Sequence, residues 1–329
     1  CHVLTSRQMG KSSLMARTAH LLRQRGLEVV TLDLAALGQN LTPEQWYDGL
    51  ISRIGWQLRL EDRLEEFWNR QARVGPVQRF LNAIREIVLA RNARRLVIFV
   101  DELDTVRSLP FPSDEFFAAI RETCNRRSED ASFDRLAFCL LGVAAPSELT
   151  GQTVATPFNI GTRIELHDFT WPEMLPLSHG LGRSAPAAEE LLERIYFWTG
   201  GHPYLTQKLC PAVSADAAVQ TPAGVDDVCH QFLLSAQGRE QDDNLIFVRE
   251  RLCRSQASFP ELLPLYRRIR SGQPAAADEG SPEITALRLC GIVRQEKSEL
   301  RVRNRIYERV FDLAWVDRTC SAYLYASKS

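Results

Sequence analysis

The sequence predicts an α/β protein with a parallel sheet in its first half, followed by a helical half that ends in a short hairpin. Three observations carry this. Strand-like apolar runs alternate with helix-period stretches up to residue 170, the pattern of strand–helix–strand crossovers. One run, Leu96-Val97-Ile98-Phe99-Val100, is continuously apolar, as expected of a strand buried on both faces. From Trp171 only helical periodicity is read until Gly291.

The chain has 329 residues, enough for two or three domains, and its 45% apolar and 25% charged residues are ordinary for a globular protein. A net charge of −1 supplies no overall basic field to attract nucleic acid. The eight cysteines form no C-x-x-C pair or metal-ligand spacing, and Cys139, Cys210 and Cys290 lie in apolar runs. Free thiols in a reducing, cytoplasmic setting are expected. No apolar stretch reaches the roughly 18 residues of a membrane span, so no membrane partner is expected. The chain opens on Cys1, at the edge of a core strand, and is expected to be a piece of a longer protein.

Val3-Leu4 reads as the end of the first strand. A loop from Thr5 to Gly10-Lys11-Ser12 follows, and then a helical pattern from Leu14 through Arg25. Strand, loop, Gly-Lys-Ser and helix form the context of a phosphate-binding P-loop. The loop Arg7-Gln8-Met9-Gly10-Lys11-Ser12-Ser13 would wrap a polyphosphate with backbone N–H groups, aided by the helix N-terminus. Gly10 lets the backbone approach, Lys11 would reach the β/γ-phosphates, and Ser12 would hold Mg²⁺. The full pattern wants glycine where this chain has Thr5, so an ordinary helix start is the competing explanation.

Leu27–Leu34 reads as a second strand. Thr42 and Pro43 open a helix as N-cap and first residue, with periodicity to Trp68, and another helix follows Pro76. The Leu96–Val100 strand then ends in Asp101-Glu102, beside the loop if ligands collect at the carboxyl ends of strands. This has the form of a Walker B motif: Asp101 for the Mg²⁺ water shell, Glu102 as general base for the attacking water. A solvated acidic turn is the alternative. After a helix containing Phe116, Phe117 and Ile120 comes a fourth strand, Arg135–Val143, expected between the P-loop and Walker B strands. Beyond it, Ser147 and Glu148 are candidates for sensing the γ-phosphate, with an N-cap role for Ser147 equally open. The run 156–161 leads to a fifth strand, Thr162–His167, giving a five-stranded parallel sheet.

In the second half, helices are expected from Pro172 and over Ala187–Trp198. Thr199-Gly200-Gly201-His202-Pro203 then reads as a helix–helix connector, with His202 a capping or surface histidine. A spacer over 212–225, helices to Leu252 and from Pro264, and a loop over 271–282 follow. A helix over Glu283–Leu289, two short strands around 296–298 and a final helix over Arg305–Trp315 have the outline of a winged helix. Arg301, Arg303, Arg305 and Arg309 are a candidate basic face for DNA, although interspersed acidic residues leave a protein-facing role at least as open.

Five runs resemble the AAA-like domain of bacterial signalling NTPases of the STAND class, relatives of AAA+ ATPases. They are Leu4–Leu14, Phe99-Val100-Asp101-Glu102, Thr156–Gly161, Gly200–Thr206 and Val302–Tyr307. That family tolerates the missing first glycine. The resemblance implies a P-loop NTPase core over 1–170, an all-helical lid over 171–255 and a winged-helix domain over 256–329, usually joined to WD40-type repeats or other effector and sensor modules. It also implies ATP/ADP and Mg²⁺ as ligands, self-association, and Gly201-His202-Pro203 as the nucleotide-sensing motif, with Pro203 near the base or phosphates. Arg163 is the one candidate arginine finger. The expected function is a slow ATPase switch. The alternatives are a DNA-binding AAA+-type ATPase and a scaffold that holds ADP without turnover.

Overall fold

A computed structural model describes residues 1–91, 94–149, 157–254, 259–278 and 281–326. Two compact units form: Cys1–Thr5 with Lys11–Leu166, and Ser6–Gly10 with His167–Ser329.

In the first unit, β1 (His2–Leu4), β2 (Glu28–Asp33), β3 (Leu96–Asp101) and β4 (Leu136–Gly142) make one parallel sheet in the order β1-β4-β3-β2. The fourth strand lies between the P-loop and Walker B strands, as expected. Both faces are covered, which is why β3 as far as Val100, and β4, are apolar. Val30, Leu32, Ile98, Val100, Phe138 and Leu140 share one core with Trp46, Leu50, Phe80 and Phe117. Alternate residues Val29, Phe99, Cys139 and Leu141 point the other way, onto Ala19. Ala19 belongs to α1 (Lys11–Gln24). The first layer of helices is α2 (Pro43–Leu58), α3 (Glu61–Arg70), α4 (Pro76–Ala83) and α5 (Asp114–Asn125), with the short α6 (Pro146–Leu149) after β4. The start of α2 is a capping box: Thr42 Oγ1 accepts from Gln45 N–H, the Gln45 amide accepts from Thr42 N–H, and Pro43 is the first helical residue.

The expected fifth strand does not form. Thr162–His167 meets the sheet through a single bridge, in which His2 N–H donates to the Thr162 carbonyl and Ile164 N–H to the His2 carbonyl, both at 2.9 Å. Thr162, Arg163, Ile164 and Glu165 are all exposed, so no buried face holds the segment in register. Among the described residues the sheet therefore has four strands, and β2 is an edge strand. On that edge the side-chain amide of Gln57 imitates a neighbouring strand: Thr31 N–H donates to Gln57 Oε1 at 2.9 Å, and Gln57 Nε2 donates to the Thr31 carbonyl at 2.8 Å.

The second unit holds α7 (Trp171–Met174), α8 (Ala185–Thr199), α9 (Pro203–Ala215), α10 (Pro222–Cys229), α11 (Ala236–Gln241), α12 (Asp243–Arg254), α13 (Phe259–Arg270) and α14 (Pro282–Cys290). An antiparallel hairpin, β5 (Val293–Glu296) and β6 (Glu299–Val302), is followed by α15 (Arg305–Val310) and α16 (Leu313–Ala326). One hydrophobic core runs from Met174 to Val316 and draws on all of these except α11. The expected spacer at 212–225 is mostly helix, since α9 continues past Pro211 and α10 begins at Pro222. The expected final helix is broken in two because Asp312 accepts from Trp315 N–H at 2.7 Å and starts a new helix.

Replacing Gln57 by leucine should lower unfolding stability by about 1–3 kcal/mol, since Thr31 would be left with two unmet backbone groups, and should promote aggregation through β2. The measurement is the urea midpoint with light scattering. An unchanged midpoint would show that Gln57 does not protect this edge.

Candidate nucleotide-binding site

The phosphate-type constellation is assembled where parallel strands end. Lys11 is the first residue of α1, and although charged it is only 8% exposed; its Nζ lies 3.5 Å from the Thr5 carbonyl, folded back along the loop. Ser12 Oγ donates to Asp101 Oδ2 at 3.2 Å, tying the helix start to the last residue of β3. Asp101 is buried, and its other oxygen accepts from the Glu102 backbone N–H at 2.9 Å. Glu102 is held at φ 54°, a left-handed conformation unusual for glutamate, and its side chain is exposed. Ser12, Asp101 and Glu102 line a cavity of about 900 Å³ that also includes Thr31, Asp33 and Trp56.

The departure at Thr5 has a local explanation. β1 pairs with β4 through Leu4 opposite Gly142, and the Thr5 N–H continues this ladder to the Gly142 carbonyl at 3.2 Å. Thr5 is thus held to the strand end and is not a positive-φ position, so its backbone has no need of glycine. The left-handed positions of the loop are Gln8 (φ 63°) and Gly10 (φ 86°).

Ser6–Gly10 belongs to the second unit, and its side chains are engaged there. Arg7 lies 5.5 Å over the ring of Phe247, Ser6 and Met9 are buried against Arg303, and the Gln8 side-chain oxygen is buried without a hydrogen-bond partner. Ser13 is exposed. In the same unit, Gly201 has φ 80° and no room for a side chain, because a Cβ would lie 2.0 Å from the Phe169 carbonyl. His202 is a cap, as expected, but a buried one: Nδ1 accepts from Leu205 N–H at 3.5 Å, and Nε2 lies 3.3 Å from the Tyr307 hydroxyl. Pro203 is the buried first residue of α9. Desolvation, then the Arg303 charge, holds the His202 pKa well below the usual histidine value, so the ring is neutral.

Other candidates fall differently. Glu148 accepts from Ala145 N–H at 2.8 Å and faces Arg107 at 3.5 Å. The Ser147 side chain and Thr156 lie outside the described residues. Arg163 pairs with Glu165 at 2.9 Å. The candidate basic face is broken up: Arg301 pairs with Glu299 at 2.8 Å, Arg303 is buried, and Arg305 stacks on Phe197 at 3.8 Å. Sequence reasoning missed Arg303 and Asp168 as loop-side residues. Arg303 lies in Val302–Tyr307, but its charge suggested the surface. Among the described residues no helix is long and apolar enough to cross a membrane, and no three acidic, histidine or cysteine side chains could together hold a metal ion.

This sheet, loop and carboxylate arrangement is the α/β P-loop ATPase fold. Two solved structures share it: the Walker-type ATPase of Pyrococcus abyssi (17% identity, TM-score 0.55, 94% of this chain and 89% of that one) and the ORC2 protein of Aeropyrum pernix in ADPNP–ADP complexes (14%, TM-score 0.51, 98% and 88%). The chain belongs to the AAA-like domain family, whose model matches residues 1–313. It is also 38% identical over 330 residues to an uncharacterised WD repeat-containing protein of Synechocystis sp., covering 97% of this chain and 28% of that protein. The chain thus spans little more than a quarter of this relative.

The buried neutral His202 predicts a pH dependence. Below about pH 6.5 the unfolded chain takes up a proton that the folded chain refuses, so stability falls by about 1.4 kcal/mol per pH unit until the folded pKa is reached. His202→Asn keeps a capping side chain without the titration and should flatten the curve between pH 6.5 and 5. Denaturation midpoints that fall in parallel for parent and variant would contradict this.

Proposed function

We propose that the chain is an ATP-binding, slowly hydrolysing switch module of the STAND type, controlling self-association or an effector. One observation carries the reading: Lys11, Ser12, Asp101 and Glu102 converge at the carboxyl ends of β1 and β3, with Ser12 hydrogen-bonded to Asp101. The AAA-like family and the P-loop ATPase folds support it. The WD repeat-containing relative supports a further step, that the module works beside effector or sensor domains.

Lys11 would neutralise charge on the β- and γ-phosphates, while the amides of Gln8–Ser13 hold the phosphate oxygens. Ser12 Oγ and Asp101 Oδ2 are hard oxygen donors 3.2 Å apart, a set that fits Mg²⁺, which would add charge neutralisation at the phosphates. Glu102, exposed beyond the buried Asp101, would take the proton of the attacking water. Gly201 and Pro203 would report nucleotide state through residues 171–255, read as a lid, and 256–329, read as a winged helix, with core 1–170 carrying the chemistry. The arginines of the hairpin are matched by Glu296 and Glu299, which argues against duplex DNA as the main partner.

Two variants test the proposal together. Lys11→Ala should weaken ATP binding more than tenfold, the equivalent of losing a charge-assisted contact of roughly 1.5–3 kcal/mol. Glu102→Gln should keep ATP binding and lose phosphate release, because the amide cannot accept the water's proton. Parental binding by the first would remove Lys11 from the site. Parental turnover by the second would remove Glu102 as base, and a parent that binds ATP or ADP tightly without releasing phosphate would point to the non-hydrolysing scaffold.

A further inference from the structure

Arg303 is a charged residue in an unusual place. It follows β6 directly, its side chain is 9% exposed, and its backbone N–H donates to the Ile292 carbonyl at 2.9 Å. Asn304 then caps α15 by accepting from Tyr307 N–H at 2.9 Å, so the Arg303 backbone is fixed on both sides. The guanidinium is shared among three residues, Asp168, Ser6 and Met9. Nε donates to both Asp168 oxygens, at 3.1 and 3.0 Å; Nη1 donates to Ser6 Oγ at 3.1 Å; and Nη2 lies 2.8 Å from Met9 Sδ.

Ser6 and Met9 are each 3% exposed and stand on either side of Gln8, the non-glycine residue of the loop with left-handed φ. Such a conformation costs free energy and persists only where the surroundings impose it. Gly291 leaves room for Ser6, since a Cβ there would lie 3.1 Å from the Ser6 Cβ. The other partner, Asp168, precedes Phe169, whose N–H donates to the Gly201 carbonyl at 2.8 Å.

We infer that Arg303 is a positioning residue that preorganises the phosphate-binding loop and ties it, through Asp168 and Phe169, to the Gly201-His202-Pro203 turn. The inference rests on the proposal that Ser6–Ser13 binds nucleotide phosphates. A loop that must already be turned to present its amides loses affinity when it is free to relax, because ordering it is then charged against binding. Arg303 grips the loop on both sides of the turn, from its side-chain face. Only a planar fork with several donors can serve Asp168, Ser6 and Met9 at once, and a lysine ammonium cannot. Arg303 also places its charge near His202, whose pKa it lowers, so the same guanidinium acts on the loop and on the turn.

The test is ADP titration of the full chain, reading affinity and stoichiometry separately. Arg303→Met should weaken ADP binding at least tenfold at unchanged stoichiometry, and Arg303→Lys should fall between it and the parent. A merely structural role would instead lower stoichiometry through misfolding and leave the affinity of the folded fraction unchanged. The double substitution Ser6→Ala with Met9→Leu removes the loop-side contacts while keeping the Arg303–Asp168 pair, and it decides the matter if Arg303→Met does not fold. It should weaken ADP at least threefold. Affinity within twofold of the parent in the double variant, or in a folded Arg303→Met, would overturn the inference while Lys11→Ala still loses ADP. Parental affinity in Lys11→Ala, or no ADP binding by the parent chain, would instead overturn the phosphate-loop proposal and this inference with it.

Discussion

The parallel register across β1, β4, β3 and β2 is the constraint on which the site depends. Leu140 pairs with His2 on one side and Val100 on the other, and Val100 pairs with Leu32. Strands aligned in this way finish together, so the loop after Leu4 and the carboxylates after Val100 leave the sheet at the same edge. Side-chain packing enforces the register: a one-residue slip would exchange the two faces of β3 and turn Ile98 and Val100 away from the helices that bury them.

Within that frame, the local chemistry follows from a few backbone choices. The ladder extends to Thr5, which frees that position from any need for glycine, and the left-handed turns are moved to Gln8 and Gly10. Glu102 takes a third left-handed position just after β3, where its N–H is satisfied by Asp101. Strained conformations of this kind gather where function needs them and are maintained by the surrounding structure. In the second unit the Phe169–Gly201 bond and the buried His202–Tyr307 pair hold the Gly-His-Pro turn at two points.

Much of this was legible in the sequence. Continuous apolar runs located β3 and β4, the Gly-Lys-Ser tripeptide located the start of α1, and Thr42-Pro43 located the start of α2, because each signal is local. The fifth strand was over-read. Ile164 and Leu166 alternate like a strand, but alternation does not say whether a partner buries them, and Ile164 is exposed. Residues 212–225 are rich in alanine and include Asp216 and Pro222, a composition that reads as a linker, whereas Val213, Val219 and Val225 pack into the core, which composition does not reveal. Arg303 was invisible as a loop contact because its partners Asp168, Ser6 and Met9 are far away in sequence, and a lone arginine reads as solvated.

The central claim is that the loop ending in Gly10-Lys11-Ser12 holds an adenine nucleotide by its phosphates. The most direct measurement is to load the purified chain with Mg·ATP, remove free nucleotide on a desalting column, denature the protein and identify what is released by ion-exchange chromatography. Close to one mole of ATP or ADP per mole of protein is predicted. Less than about a tenth of a mole, with no binding at equilibrium in dialysis against millimolar ATP, would contradict it.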